Sequence, residues 1–481
     1  MTLVAGVDSS TSATKVEVRE VDSGEVVGRG SSPHPPTQPP RSEQDPASWW
    51  AAFESAWDQA GSPTVAAISV GGQQHGMVAL DERREVIRPA KLWNDTESAP
   101  DATALTDRLA GGRPAWAAAC GSVPVASFTI TKLAWLARTE PESFARLAHV
   151  VLPHDWLTFR LTGSLTTDRG DASGTGYWSA ASGSYRADLL ALVDADRDWS
   201  DVVPRVLGPR EVAGEWNGAM VGPGTGDNMA GALGVGLRSG DVAVSIGTSG
   251  TVYSVCDAPT ADPSGIVAGF ADATGRHLPL VCTLNATKVT DAVARLLGVD
   301  HATFDELVFA AAPGAGGITL LPYLDGERTP DRPSATGVLS GIRSDVGREQ
   351  LARAAVEGVV CGLLDGLDAL AAFAPADGRL ILVGGGARSR AYRQVLADLS
   401  GRAVLVPRAE EQVATGACVQ AAAVASGADP NEVADRWRLS DGDVVEPGPA
   451  GSAAAEVRAA FAILRDEIGE PGVRKTASSV H

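Results

Sequence analysis

Aromatic side chains are scarce, and basic ones are outnumbered. Phenylalanine, tryptophan and tyrosine make up only 5% of the 481 residues, so the core has to close on small aliphatic side chains and glycine, as in tightly packed α/β enzymes. Lysine and arginine total 40 against 59 acidic residues. The resulting formal charge of -19 argues against a nucleic-acid partner, because binding to a phosphate backbone needs clustered cations. Long hydrophobic runs are missing as well. No stretch approaches the roughly 20 apolar residues that span a bilayer, and Asp8 cuts short the one apolar run at the N-terminus, so no signal peptide is expected. The five cysteines, Cys120, Cys256, Cys282, Cys361 and Cys418, lie far apart with no CxxC pair and no histidine at metal-ligand spacing. They read as buried thiols in a reducing compartment, and the expected location is the cytoplasm.

Glycine, by contrast, is abundant, and its densest run organises the chain. Residues 222–236 are glycine-rich around Asp227 and Asn228, and they lead into an apolar strand at 242–246 and a turn at Gly247, Thr248, Ser249 and Gly250. A tight glycine loop holds Asp227 at the mouth of a following helix, while the NH groups of the later turn can face an anion. Asp227 suits a general base, since a fixed carboxylate can orient a hydroxyl and accept its proton. It could equally cap the helix that begins near Asn228.

At 481 residues two large domains are expected. Residues 3–7 read as a buried strand and residues 15–21, alternating with period two, as a half-exposed one. The polar turn between them, from Asp8 through Thr11 and Ser12 to Thr14, has the same grammar as residues 242–255, which suggests a duplicated domain. Asp8 fits a carboxylate that meets phosphates through a divalent cation, or an Asx-type turn residue. Asp45 and Pro46 mark a helix start. A strand at 66–70 delivers Gln73, Gln74 and His75 at its carboxyl end, where open α/β sheets bind ligands; His75 either bonds a ligand hydroxyl or serves the structure. Residues 150–178, with Asp155, Asp168 and Asp171, form a lid or wall, and residues 322–330 a polar loop. A buried helix at 350–373 precedes a strand at 379–383 and a Gly384, Gly385, Gly386 turn, a nucleotide-site grammar that matches neither Walker A nor GxGxxG. The tail at 473–481 is expected to fray.

Together the two hairpin turns, the Gly226, Asp227, Asn228 loop and the Gly384 to Arg388 turn resemble the FGGY carbohydrate kinases of the actin, hexokinase and heat-shock ATPase superfamily. Residues 337–342 with Gln350, Leu351 and 354–357 resemble one family signature, and residues 127–136 the other. Within the family, residues 42–46 with Trp49 and Trp50, Gln73 to Gly76, Leu92 to Asp95, Gly226 to Asn228 and 321–330 are most similar to members that phosphorylate D-xylulose. The resemblance implies an α/β fold of two actin-like (ribonuclease H-like) domains, 1–238 and 239–472, with a cleft between them and a tail at 473–481. It implies ATP and Mg²⁺, with Asp227 as proton acceptor, Gln74, His75 and Asn228 as sugar contacts, and Asp8 near the metal. Thr11, Ser12, Thr248 and Ser249 would face phosphates, and Gly385, Gly386 and Arg390 the adenosine. Partners are then a small sugar and ATP, with a homodimer as the family prior and no nucleic acid or membrane. Gln74 stands where many bacterial members have methionine, and Ser10 and Ala13 replace glycines common in the first turn. Kinases for ribulose, a polyol or a sugar acid, and a non-catalytic sensor on the same scaffold, stay as alternatives.

Overall fold

The computed structural model describes residues 1–448 and 451–468, so the expected frayed tail lies outside the described residues. The chain forms two compact units, each built on one mixed sheet.

In the first unit the strand β1 (Leu3–Ser9) is central, and its Val4, Ala5 and Val7 are fully buried. It pairs antiparallel with β2 (Ala13–Glu20), which pairs antiparallel with β3 (Val26–Pro33). Helix α1 (Pro46–Gln59) starts where the sequence marks it: Asp45 accepts from the Ala47 NH at 3.0 Å, and Pro46 fills the first turn. Strand β4 (Ala67–Gly72) runs parallel to β1 with Gly71 opposite Asp8. After helix α2 (Pro153–Thr162) come β5 (Gly214–Trp216), β6 (Ala219–Val221), the short β7 (Thr225–Gly226) and helix α3 (Asp227–Gly234). Val7, Val18, Trp49, Phe53, Ile68, Val70 and Trp156 share one core cluster against this sheet.

The second unit repeats the plan. Its strands are β8 (Val242–Ile246), β9 (Gly250–Ser254) and β10 (His277–Thr283), then, after the long helix α4 (Arg348–Ala371), β11 (Leu380–Val383). Helix α5 (Arg390–Ser400) and β12 (Val404–Pro407) follow. Helix α6 (Gln412–Ser426) belongs to the first unit, and β13 (Gly442–Val445) closes the second sheet. The first sheet runs β3-β2-β1-β4-β6-β5, and the second runs from an edge strand at Ala268–Ala271 through β10-β9-β8-β11-β12-β13. Both place an antiparallel hairpin beside a parallel partner, β1 with β4 and β8 with β11, so the duplication suggested by the two turns is a duplication of topology.

The first compact unit takes, besides Met1–Arg238, the segments Val255–Pro279 and Arg408–Asp441. The reason is visible in α6, whose Thr415 donates to Glu17 Oε1 at 3.0 Å and whose Gln420 donates to the Gly224 carbonyl at 3.0 Å. Strand β2, expected to be half exposed, is largely buried. Glu17 and Arg19 on its polar face pair with each other at 2.6 Å beneath α6, and Arg29 adds a second cation to Glu17 at 2.9 Å. Alternation shows that two faces differ in polarity; it does not show that the polar face meets water. All five cysteines are buried, and no described helix is long and apolar enough to cross a membrane.

Candidate active site

Three neighbouring parallel strands of the first unit, β1, β4 and β7, end together, because Asp8 and Thr225 both lie opposite Gly71 in β4. This register puts Asp8, the Gln73 to His75 segment and Asp227 at one edge of the sheet. Asp227 is the first residue of α3, and Gly226 occupies the capping position, so Asp227 is not the helix cap. Its Oδ1 accepts from Asn228 Nδ2 at 3.0 Å, and the same amide donates to Gln74 Oε1 at 2.6 Å. Gln74 Nε2 rests on Met229 Sδ at 3.1 Å. Desolvation, with Asp171 nearby, pushes the Asp227 carboxyl up to about 7, into the range of a general base working near neutrality.

Asp8 is buried, and its Oδ1 has no hydrogen-bond partner. Burial, reinforced by Asp227 and Glu411 against the pull of Lys15, drives its carboxyl to about 7. A buried carboxylate left with an open oxygen fits a divalent cation shared with phosphates. The group of three acids that could share a cation among the described residues, Glu43, Asp95 and Glu97, already holds one: Lys91 Nζ lies at 3.1, 2.9 and 2.7 Å from them. In the β1–β2 turn the Thr11 hydroxyl donates to Gln73 at 3.2 Å and accepts from Trp93 at 2.9 Å. Ser12 is exposed at the tip of the turn, with its hydroxyl 3.5 Å from that of Ser10.

His75 has φ 62, a left-handed backbone that a side-chain-bearing residue adopts only under constraint. The constraint is Asp171, whose Oδ1 accepts from both the His75 NH and Nδ1 at 3.1 Å, while Phe128 and Phe270 pack on the ring. Burial pushes the Asp171 carboxyl up to about 7; in its ionised form it only accepts, and in that form Nδ1 carries the proton and Nε2 keeps its lone pair. The ring fits because residue 174 is glycine: a Cβ there would lie 1.7 Å from His75 Cε1. Gly174→Ala is therefore expected to displace the imidazole from Asp171 and to lower the melting temperature by several degrees, as read by thermal unfolding.

Asp171 belongs to a buried cluster that sequence reasoning missed as a unit. Asp155, Asp168 and Asp171 stood out only as acids in a wall of uncertain structure, and His154 not at all. His154 Nε2 lies 3.2 Å from Asp155, 3.4 Å from Asp168 and 3.5 Å from Asp171. The local signal was an aspartate that caps a one-turn helix, Asp168 to the NH groups of Gly170 and Asp171, inside a run of small residues.

In the second unit the turns after β8 and β11 lie side by side, since those strands are parallel neighbours. The first carries Thr248 and Ser249 and is pinned by the Ala286 and Thr287 NH groups, which donate to the carbonyls of Thr248 and Gly247. Asn285, just before them, is held in turn by Glu327 at 2.8 Å, in the loop expected to be merely polar. The second turn is a 3₁₀ segment, Gly385–Arg388. Arg390, which opens α5 two residues after that segment, has its guanidinium 5.4 Å from the Phe309 ring centre and its NH bonded to Asp305.

Two mononucleotide-type turns on one duplicated sheet plan, with a base-bearing loop between them in sequence, correspond to one known family along most of the chain. Residues 3–234 match the N-terminal domain of the FGGY family of carbohydrate kinases, and residues 242–425 match its C-terminal domain. The chain belongs to the FGGY family. It is 50% identical over 456 residues to a xylulose kinase of Streptomyces rubiginosus and 49% identical to one of Streptomyces coelicolor, covering 92% of each protein and of this chain. A crystal structure of xylulose kinase from Bifidobacterium adolescentis superposes with a TM-score of 0.85 at 43% identity, over 96% of this chain and 99% of that one. As an FGGY kinase the chain is an ATP-dependent sugar kinase, and the edge formed by Asp8, Gln74, His75 and Asp227 is its candidate catalytic centre.

Proposed function

We propose that this kinase transfers the γ-phosphate of ATP to the terminal hydroxyl of D-xylulose, giving D-xylulose 5-phosphate. The observation that carries the reading is the joined set Gln74, Asn228 and Asp227 at the strand ends, in a chain half identical to xylulose kinases. Asp227 accepts the hydroxyl proton as the bond to phosphorus forms. Gln74, His75 and Asn228 hold the sugar, and the His75 Nε2 lone pair takes a hydrogen bond from one of its hydroxyls. The amide at Gln74 gives a more polar pocket floor than a thioether would. Thr11, Ser12, Thr248 and Ser249 serve the phosphates, and Gly385, Gly386 and Arg390 the adenosine. Mg²⁺, for which Asp8 is the fitting ligand, neutralises charge on the transferring phosphoryl group when bound.

A panel of D-xylulose, D-ribulose, ribitol, D-gluconate and glycerol in a coupled ADP-release assay tests the reading. The expected kcat/KM for D-xylulose exceeds each of the others by at least about tenfold. A preference for another member of the panel overturns the substrate, and ADP release with none of them returns the chain to the sensor alternative.

A further inference from the structure

We propose that His154 is a positioning residue for the phosphoryl-transfer site: from one buried point it fixes Asp171, which orients His75, and Asp168, which holds Thr225 in the strand that delivers Asp227. The inference rests on the D-xylulose reading for its assay, and on geometry for its argument.

His154 is completely buried in the first turn of α2, and its Nε2 lies within 3.5 Å of three carboxylates. Two lines of contact leave this hub. Asp171 Oδ1 receives the His75 NH and Nδ1. Asp168 Oδ2 receives the Thr225 hydroxyl at 2.7 Å, two residues before Asp227. One buried ring thus stands behind both a sugar contact and the base. Nothing else in the mechanism requires four ionisable groups in a place without solvent, where their burial opposes folding unless the charges balance.

The electrostatics agree with the geometry. Despite the desolvation that opposes charge, the three aspartates raise His154 to about 9, so the ring is an imidazolium at neutral pH. Burial pushes Asp155 and Asp171 to about 7, and His154 is the largest influence holding each of them down. The other titratable groups facing the cluster are Tyr177 and Tyr185, both pushed up by burial and by these aspartates, together with His75 and Asp227. Removing the imidazolium charge therefore raises Asp171 further. Protonation of Asp171 weakens its hold on both the His75 NH and Nδ1–H, and so frees the ring to take the other tautomer, with Nε2 as a donor.

The test is sugar affinity against pH, measured by calorimetry with D-xylulose on the intact protein and on His154→Gln, His154→Lys and Asp171→Asn. His154→Gln is expected to weaken binding by about tenfold at pH 7 and to recover as pH rises, with the midpoint of the affinity curve about one unit or more above that of the wild type. His154→Lys, which restores a cation, is expected to bring the midpoint back. Asp171→Asn is expected to weaken binding at every pH. An unchanged affinity in His154→Gln, or a loss of the same size at all pH values, overturns the proposal, because a merely structural histidine gives no pH-dependent recovery. Should His154→Gln fail to fold, Asp171→Asn decides, and wild-type affinity in that variant overturns the proposal. A wild type that binds no D-xylulose counts against the substrate reading instead, and the same series is then run with whichever sugar of the panel is phosphorylated.

Discussion

Asp227→Asn is expected to lower kcat by about 10²–10⁴-fold while D-xylulose binding stays within a few-fold of the wild type. The substitution keeps an oxygen for the Asn228 amide, which now sits 3.0 Å from Oδ1, and it leaves Gln74 and Asn228 in place, so the sugar loses little. What it removes is the carboxylate able to accept a proton, at a position where Gly226 rather than Asp227 occupies the helix cap. The pH dependence follows with a definite sign. The carboxyl must be ionised to accept the proton and is pushed up to about 7, so kcat/KM in the wild type should fall by about tenfold per pH unit below that value and level off above it. The share of the acid limb that Asp227 contributes should vanish in the variant, leaving that of Asp8 and Asp171, which burial also pushes up to about 7. A coupled ADP-release assay gives the rates and calorimetry the affinity; turnover within tenfold of the wild type removes Asp227 from the base role.

Much of this site was legible because it is written locally. The strand at β1 with Asp8 at its end, the helix start at Asp45 and Pro46, and the glycine loop with Asp227 each depend on a few consecutive residues whose backbone demands are strong. The repeated hairpin was legible for the same reason, and it extended further than the short motif implied, to the order of whole sheets. What was hidden depends on distant residues. Glu17 and Arg19 look like the wet face of β2, and only α6, nearly 400 residues later, makes them a buried pair. His154 carries no motif, because its meaning comes from Asp168 and Asp171 on another element and from His75 on a third. Asp155, Asp168 and Asp171 were visible as acids, but the sequence holds no record that they converge on one imidazole. The return of Arg408–Asp441 to the first unit was hidden likewise, since an alanine-rich helix pattern suits either sheet.

That returning helix underlies the other large expected effect, Gly416→Ala. Gly416 in α6 faces α3 so closely that an added Cβ would lie 1.7 Å from the Ala230 carbonyl oxygen. The obstacle is backbone, which cannot swing aside as a side chain can, so relief requires the two helices to separate. Ala230 is three residues past Asp227, in the eight-residue helix that Asp227 opens, and a displaced α3 carries the base with it. The variant is expected to lose about 3 kcal/mol or more of stability, and its melting temperature to drop by about 5–10 °C. Below that temperature it should still bind ATP, with kcat reduced more than the sugar KM is raised, because a misplaced base costs rate first. The contrast is Gly362→Ala in the interior of α4, where an added Cβ meets nothing within 4 Å. There the same change is expected to stabilise by up to about 1 kcal/mol, since alanine is the better helix former. Thermal unfolding of the two variants side by side, with kcat measured on each, separates the close helix crossing from any general penalty of the extra methyl; equal melting temperatures would show that α3 and α6 do not depend on residue 416 for their approach.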